Sequence, residues 1–236
     1  MTASFRMKSF TIRQDRCAMK VGTDAILLGG WATAAAPRSI LDIGTGTGIL
    51  ALMLAQRFPE CNVHAVDIDS EACDEAADNV ANSPFAARVS VHRTAIQEFA
   101  TDRRFDLVVC NPPFFSNSLK SPDVGRNIAR HNTTLSLDAL AMSVDRLLAG
   151  SGRCCLILPA DVSETFHNVA RRQRLFCEQK CLVKPTPNSP VKRHLLAFGR
   201  QEPPPFVQTT ELIVEAARHQ YSDDFRTLAR AFLLKL

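Results

Sequence analysis

From residue 39 to residue 199, short runs of strand-forming residues alternate with segments whose apolar positions recur at helical spacing. Few folds accommodate that order. "SILDIG" (39–44) predicts a buried strand, and "ILALMLAQRF" (49–58) a helix. "NVHAVDI" (62–68) predicts a second strand, and "SEACDEAADNVANS" (70–83) a helix capped by Ser70. Strands follow at 88–94, at 104–110 in "RFDLVVCNPP", and at 153–159, with helices over 136–152 and 161–174 between and after them. "CEQKCLVK" (177–184) and "RHLLAFG" (193–199), joined by "PTPNSPVK", predict a hairpin. Alternation with strands apolar throughout implies a mostly parallel seven-stranded sheet with helices on both faces, and the hairpin adds one antiparallel edge strand. The expectation is one α/β domain over 1–236. An N-terminal extension (1–36) would form an amphipathic helix within 11–35, and a helical tail (206–236) would follow Pro203-Pro204-Pro205.

The turn after the first strand, "DIGTGTG", carries Gly44, Gly46 and Gly48, which let the backbone turn sharply and approach a ligand closely. The helix behind it aims free N–H groups at whatever sits there. The spacing is Gly-x-Gly-x-Gly, with Ile49 where a dinucleotide fingerprint requires glycine, which disfavours an NAD-dependent oxidoreductase. Asp42 within this turn would repel a pyrophosphate but suits an ammonium group. Asp67, ending the second strand, is placed to accept from both hydroxyls of a ribose. An amino acid end, a ribose and no phosphate describe S-adenosylmethionine.

"DIGTGTG", "AVDID" and "NPPF" together resemble a class I methyltransferase of the group that modifies exocyclic or amide nitrogens. "DRCAMKVGTDAILLGGWA" (15–32), "LALMLAQR", "HLLAFG" and "YSDDFRTLARAFLL" resemble the family of bacterial tRNA1(Val) adenine-N6 methyltransferases over nearly the whole chain. The resemblance implies a Rossmann-like fold, S-adenosylmethionine as cofactor and the adenine 3′ of the anticodon as target. It further implies that Ile68 and Ile96 flank the cofactor's adenine, with Ala95 where many relatives have an aspartate. It assigns Lys20, Thr23 and Asp24 to the cover of that site; the alternative for "VGTD" is a helix cap supplied by Thr23 or Asp24.

With such a cofactor, the abrupt end of the 104–110 strand acquires a purpose. An exocyclic amine is a poor nucleophile because its lone pair is delocalised into the ring. Two acceptors holding its protons out of the ring plane favour attack. Asn111 offers a side-chain oxygen, Pro112 a carbonyl oriented by its fixed φ, and Phe114 a face on which the base stacks, with Pro113 between them completing the motif. A ribosomal-RNA guanine-N2 or protein-glutamine methyltransferase would use the same cradle, and a catalytically silent RNA-binding module is the remaining rival.

The net charge is only +4, so its distribution carries the information: eight basic residues face one acid between Arg171 and Arg200. Such a run is either an ordinary solvated face or a polyanion footprint, and composition does not choose between them. Lys120, Arg126, Arg130 and His131, in the polar stretch 116–137 next to the catalytic motif, and Arg171, Arg172, Lys192 and Arg193 are the candidate tRNA phosphate contacts. N-terminal Arg6, Lys8, Arg13 and Arg16 extend that set. Eight cysteines without C-x-x-C pairs predict reduced, buried thiols and no metal; Cys177 and Cys181 lack a second pair. No apolar stretch approaches membrane-spanning length, so a cytoplasmic location is expected. The resemblance implies the anticodon stem-loop of tRNA as partner, and a monomer is expected.

Overall fold

The computed structural model describes residues 4–112, 135–202 and 207–236. Its centre is an eight-stranded sheet built from β3 (Ser39–Ile43), β4 (Asn62–Asp67), β5 (Val89–Arg93), β6 (Phe105–Cys110), β7 (Leu148–Pro159), β8 (Phe176–Lys184), β9 (Arg193–Gly199) and β10 (Gln208–Ile213). The spatial order is β10-β8-β9-β7-β6-β3-β4-β5. All pairings are parallel except those of β9, which runs antiparallel to both β7 and β8. The mostly parallel sheet expected from the alternation is therefore present, with two differences. The antiparallel strand lies inside the sheet rather than at its edge, and the edge is an eighth strand, β10. Four of the six residues of β10 are exposed, so its stretch "QTTELI" carries almost no apolar alternation; β-branched Thr209, Thr210 and Ile213 suit it to pairing along β8.

Helices α1 (Thr23–Trp31), α2 (Ile49–Arg57), α3 (Ser70–Ala81) and α6 (Asp223–Ala229) cover one face, and α4 (Leu137–Leu147) with α5 (Ser163–Arg172) the other. Successive residues of β3 divide between the two cores: Ile40 joins the first, Leu41 and Ile43 the second. Each full burial of such a side chain contributes about 1.5–3 kcal/mol. Helix α2 is buried from Ile49 to Ala55 because it lies between the sheet and α1. Arg57 and Arg88 close helix ends here. Arg57 donates to the Gly29 and Ala32 carbonyls at 2.7 and 2.6 Å, and Arg88 to the Ala55 carbonyl at 2.7 Å.

The extensions depart from the sequence expectation. Residues 4–13 form a hairpin of two three-residue strands, β1 (Ser4–Arg6) and β2 (Thr11–Arg13), with Phe5 opposite Ile12. Helix α1 begins only at Thr23, so 14–22 is not helical. The tail is not simply helical: β10 is followed by the hairpin β11 (Glu215–Ala217) and β12 (Gln220–Tyr221) before the seven-residue α6. Asp69, not Ser70, caps α3; its carboxylate accepts the Glu71 and Ala72 amides. The segment 148–152, expected as the end of a helix, starts β7 instead, where Gly152 passes so close to the Phe105 carbonyl that a Cβ would lie 2.7 Å from it.

Candidate active site and cofactor cleft

Three strand ends define the site. Ile43 pairs with Val66 on one side and Cys110 on the other, so Asp67, Gly44 and Asn111 follow side by side at the carboxyl edge of the sheet. Neighbouring strands are about 4.8 Å apart, which puts the backbones of Asp67 and Asn111 roughly 10 Å apart across the glycine turn. Open α/β sheets bind ligands at this edge.

The turn itself is held from both sides. Gly44, Gly46 and Gly48 have φ values of +70°, +55° and +82°, a region that favours glycine. The Gly44 and Thr45 amides donate to the Val66 carbonyl at 2.8 and 3.1 Å. The Gly46 amide donates to Asp67 Oδ2 at 2.8 Å, while Asp67 Oδ1 accepts the Asp69 amide at 3.0 Å. Each carboxylate oxygen retains a lone pair for a ligand hydroxyl. A Cβ on Gly48 would meet that of Ala76 at 3.3 Å, so α3 seats directly against the turn.

Asp42 lies beneath this turn with no exposed surface. Its Oδ2 accepts the Thr45 hydroxyl at 2.6 Å, while Oδ1 has no hydrogen-bond partner. Burial pushes its carboxyl from 3.8 up to about 7, and the charge of Asp67 adds to the rise; the Thr45 hydroxyl and the Ala51 amide oppose it. An orphaned buried acceptor with an unsettled charge is what a cationic group above the turn would stabilise, so the donor set fits an ammonium-bearing ligand. Ile68, 55% exposed although apolar, offers an uncovered surface beside the Asp67 carboxylate, as an adenine ring requires.

These pKa values fix a pH dependence. A carboxyl raised in the folded state contributes stability that is complete below about 4 and is lost as pH climbs through about 7. A bound cation favours ionised Asp42 and reverses part of that loss. S-adenosylhomocysteine is therefore expected to raise Tm more at pH 8 than at pH 6, and to release a fraction of a proton on binding at pH 6.5. Thermal shifts and calorimetry in buffers of different ionisation heat check this, and a pH-independent shift contradicts it.

The remaining candidates are placed as follows. Ile96 is buried. Ala95 is half-buried with its carbonyl already taken by the Glu98 amide at 2.9 Å, and the neighbouring Gln97 is exposed. Lys20 folds back onto the Gln14 and Cys17 carbonyls. Thr23 and Asp24 open α1, but Gly22 is its N-cap and neither side chain caps it. The Asp24 carboxylate instead receives Arg193 Nε at 2.9 Å, joining a residue assigned to the cofactor cover with one assigned to RNA. Asn111 is half-buried and Pro112 buried. Pro113, Phe114, Lys120, Arg126, Arg130 and His131 lie outside the described residues.

The basic stretch 171–200 does not form one surface. Lys192 and Arg193 stand at the carboxyl edge with the glycine turn, whereas α5 carries Arg171 and Arg172 roughly 15 Å along its axis to the opposite edge. Arg200 is committed to Asp145 at 2.6 Å and Lys184 to Glu211 at 2.8 Å. Of the N-terminal cations, Arg16 pairs with Asp78 and Lys8 bonds the Arg230 carbonyl at 2.5 Å. Exposed Arg218 and His219, in the β11–β12 hairpin, were not singled out in the sequence. Their hairpin joins the carboxyl edge because the Glu215 amide donates to the Pro185 carbonyl. Also missed were Glu75 and Asn79, polar but 1% and 2% exposed on the inward face of α3. Two hydrogen-bonding side chains four residues apart on a stripe of Ala72, Cys73, Ala76 and Val80 were the available signal.

All eight cysteines are buried with free thiols, and the described residues hold no cluster of His, Cys, Asp and Glu suited to a metal. No helix among them is long and apolar enough to cross a membrane.

Residues 20–137 match the model of the methyltransferase small domain family. The chain is 44% identical over 234 residues to the tRNA1(Val) (adenine(37)-N6)-methyltransferase of Parabacteroides distasonis, covering 98% of each protein. It is 43% identical over 235 residues to the protein of that description from Trichodesmium erythraeum, again over 98% of each. Among solved structures it is similar to a predicted O-methyltransferase from Agrobacterium tumefaciens, with a TM-score of 0.68 at 18% identity over 89% of this chain and 96% of that one. It is also similar to the ribosomal protein L11 methylase of Lactobacillus delbrueckii, with a TM-score of 0.53 at 20% identity over 75% of this chain and 77% of that one. Those two likenesses are of fold.

Proposed function

The chain belongs to the tRNA1(Val) (adenine(37)-N6)-methyltransferase family, and from that we propose that it methylates the exocyclic N6 of adenine 37 in tRNA1(Val), next to the anticodon. The observation that carries the reading is the row Asp67, Gly44, Asn111 at one sheet edge, with a ribose acceptor at one end and an amine acceptor at the other. When bound, S-adenosylmethionine supplies an electrophilic methyl group. Everything else falls to the chain. Asp67 holds the ribose hydroxyls, the carboxylate of Asp42 balances the ammonium, and Ile68 lies against the adenine. Asn111 and the Pro112 carbonyl accept the two protons of the target amine, which draws its lone pair out of conjugation. No general base is required before transfer, because the amine becomes acidic as it is alkylated and loses its proton to water. Positioning of this kind is worth about 7–11 kcal/mol relative to free encounter.

The anticodon arm approaches the carboxyl edge, where Lys192 and Arg218 are exposed cations without partners among the described residues. Arg171 and Arg172 take part only if the tRNA also reaches the opposite edge. The test is methyl transfer to total tRNA, ribosomal RNA and release factor, with nucleoside mass spectrometry of the product. N6-methyladenosine confined to position 37 of tRNA1(Val) is expected, and label in protein alone would defeat the assignment. In the same assay the double variant K192E/R218E weakens tRNA binding by about tenfold or more and lowers its salt dependence by about two contacts. R171E/R172E has the smaller effect.

A further inference from the structure

The segment between β2 and α1 runs across the glycine turn, and two buried side chains of α3 determine where it lies. Glu75 Oε1 accepts the Asp15 and Arg16 amides at 2.6 and 2.9 Å, and its Oε2 accepts the Cys17 amide at 2.8 Å. One turn further along α3, Asn79 binds both backbone groups of Arg13, at 2.8 and 2.9 Å, and also donates to the Thr47 carbonyl inside the glycine turn at 2.9 Å. The same helix face presses Ala76 against Gly48. The segment is braced internally as well: the Val21 amide donates to Gln14 Oε1 at 2.8 Å, and Lys20 bonds two of its carbonyls. Buried Cys17 then lies over Gly46, its sulfur 3.5 Å from where a Cβ on that glycine would stand.

We infer that Glu75 and Asn79 are positioning residues that seat residues 13–17 as a roof over the glycine turn, and that this seating sets the affinity for the cofactor. The inference rests on the proposed function and extends it to residues that touch neither cofactor nor base. Residues 14–22 belong to no helix or strand, so side chains rather than a backbone ladder fix their position. Three amides converging on one carboxylate form charge-assisted bonds that an amide side chain cannot reproduce, since its NH2 faces donors. A roof seated for only a fraction of the time reduces apparent affinity by that fraction.

Glu75→Gln is therefore expected to raise the Kd for S-adenosylhomocysteine and the KM for S-adenosylmethionine by about tenfold, with kcat at saturating cofactor and the KM for tRNA within about twofold of the parent. Asn79→Ala, which removes the Arg13 and Thr47 bonds but leaves Glu75 in place, moves the same constants in the same direction and covers the case in which the Glu75 variant folds poorly. Trypsin supplies a readout independent of activity. Exposed Arg13, Arg16 and Lys20 lie in or beside the roof, so both variants are cleaved there faster than the parent, and S-adenosylhomocysteine protects the parent more than either variant. If the parent binds S-adenosylhomocysteine and both variants match it in affinity and cleavage, the inference is overturned. If the parent itself does not bind, the cofactor assignment is what fails.

Discussion

Replacing Asn111 by alanine lowers the rate of methyl transfer at least about a hundredfold while tRNA and S-adenosylhomocysteine affinities stay within about twofold. The magnitude follows from the role. An acceptor already fixed where the amine's protons move out of the ring plane gains strength as the nitrogen becomes tetrahedral, so its loss falls on the transition state and spares the ground state. Its position is fixed by β6, whose residues from Leu107 to Cys110 are fully buried and paired on both sides to β3 and β7. Truncating a side chain just past that strand leaves the strand in place. Asn111→Asp keeps one oxygen acceptor and is expected to retain more activity than the alanine variant. Single-turnover rates with saturating tRNA measure the effect directly, and an alanine variant as fast as the parent removes Asn111 from the chemistry.

The second large effect is on cofactor binding. Asp67→Ala is expected to weaken S-adenosylhomocysteine by about a hundredfold or more, because hydrogen bonds to a charged acceptor contribute about 1.5–3 kcal/mol each and two ribose hydroxyls lose theirs. The substitution also frees the Gly46 amide, which Asp67 Oδ2 holds at 2.8 Å, so the turn loses an anchor along with the ligand's acceptor. Asp67→Asn separates the two contributions. Its remaining oxygen can still hold Gly46, and the expected loss is closer to tenfold. Titration calorimetry of parent and both variants checks the order, and equal affinities would place the ribose elsewhere.

The parts of this site that the sequence exposed are local. The glycines of 44–48 announce a turn that requires positive φ, and Asp67 and Asn111 each end an apolar run where a buried polar residue would be costly. What stayed hidden depends on residues distant along the chain. Glu75 and Asn79 bond residues 32 to 66 positions away, and helical periodicity assigns them to a face without saying what crosses it. The basic stretch misled for a related reason. A linear run of cations is divided between two edges once α5, lying along one face, carries the start of the run from the carboxyl edge to the opposite one. Strand β10 was missed because four exposed residues in six erase the alternation that marks a strand, and within the sheet it pairs only with β8. The short strands of the N-terminal hairpin failed the same way, since three residues carry too little periodicity to be recognised.

Strand β9 is bonded to β7 on one side and β8 on the other, although β8 precedes it in the chain. Neither β8 nor β10 touches the rest of the sheet except through it. During synthesis, then, the strands bearing the glycine turn, Asp67 and Asn111 can assemble into a five-stranded platform from β5 to β7 while β8 waits for Arg193–Gly199 to leave the ribosome, and β10 follows later still. A nascent chain ending short of that segment has the strand ends of Gly44, Asp67 and Asn111 side by side and the margin that carries Lys192 and Arg218 unbuilt.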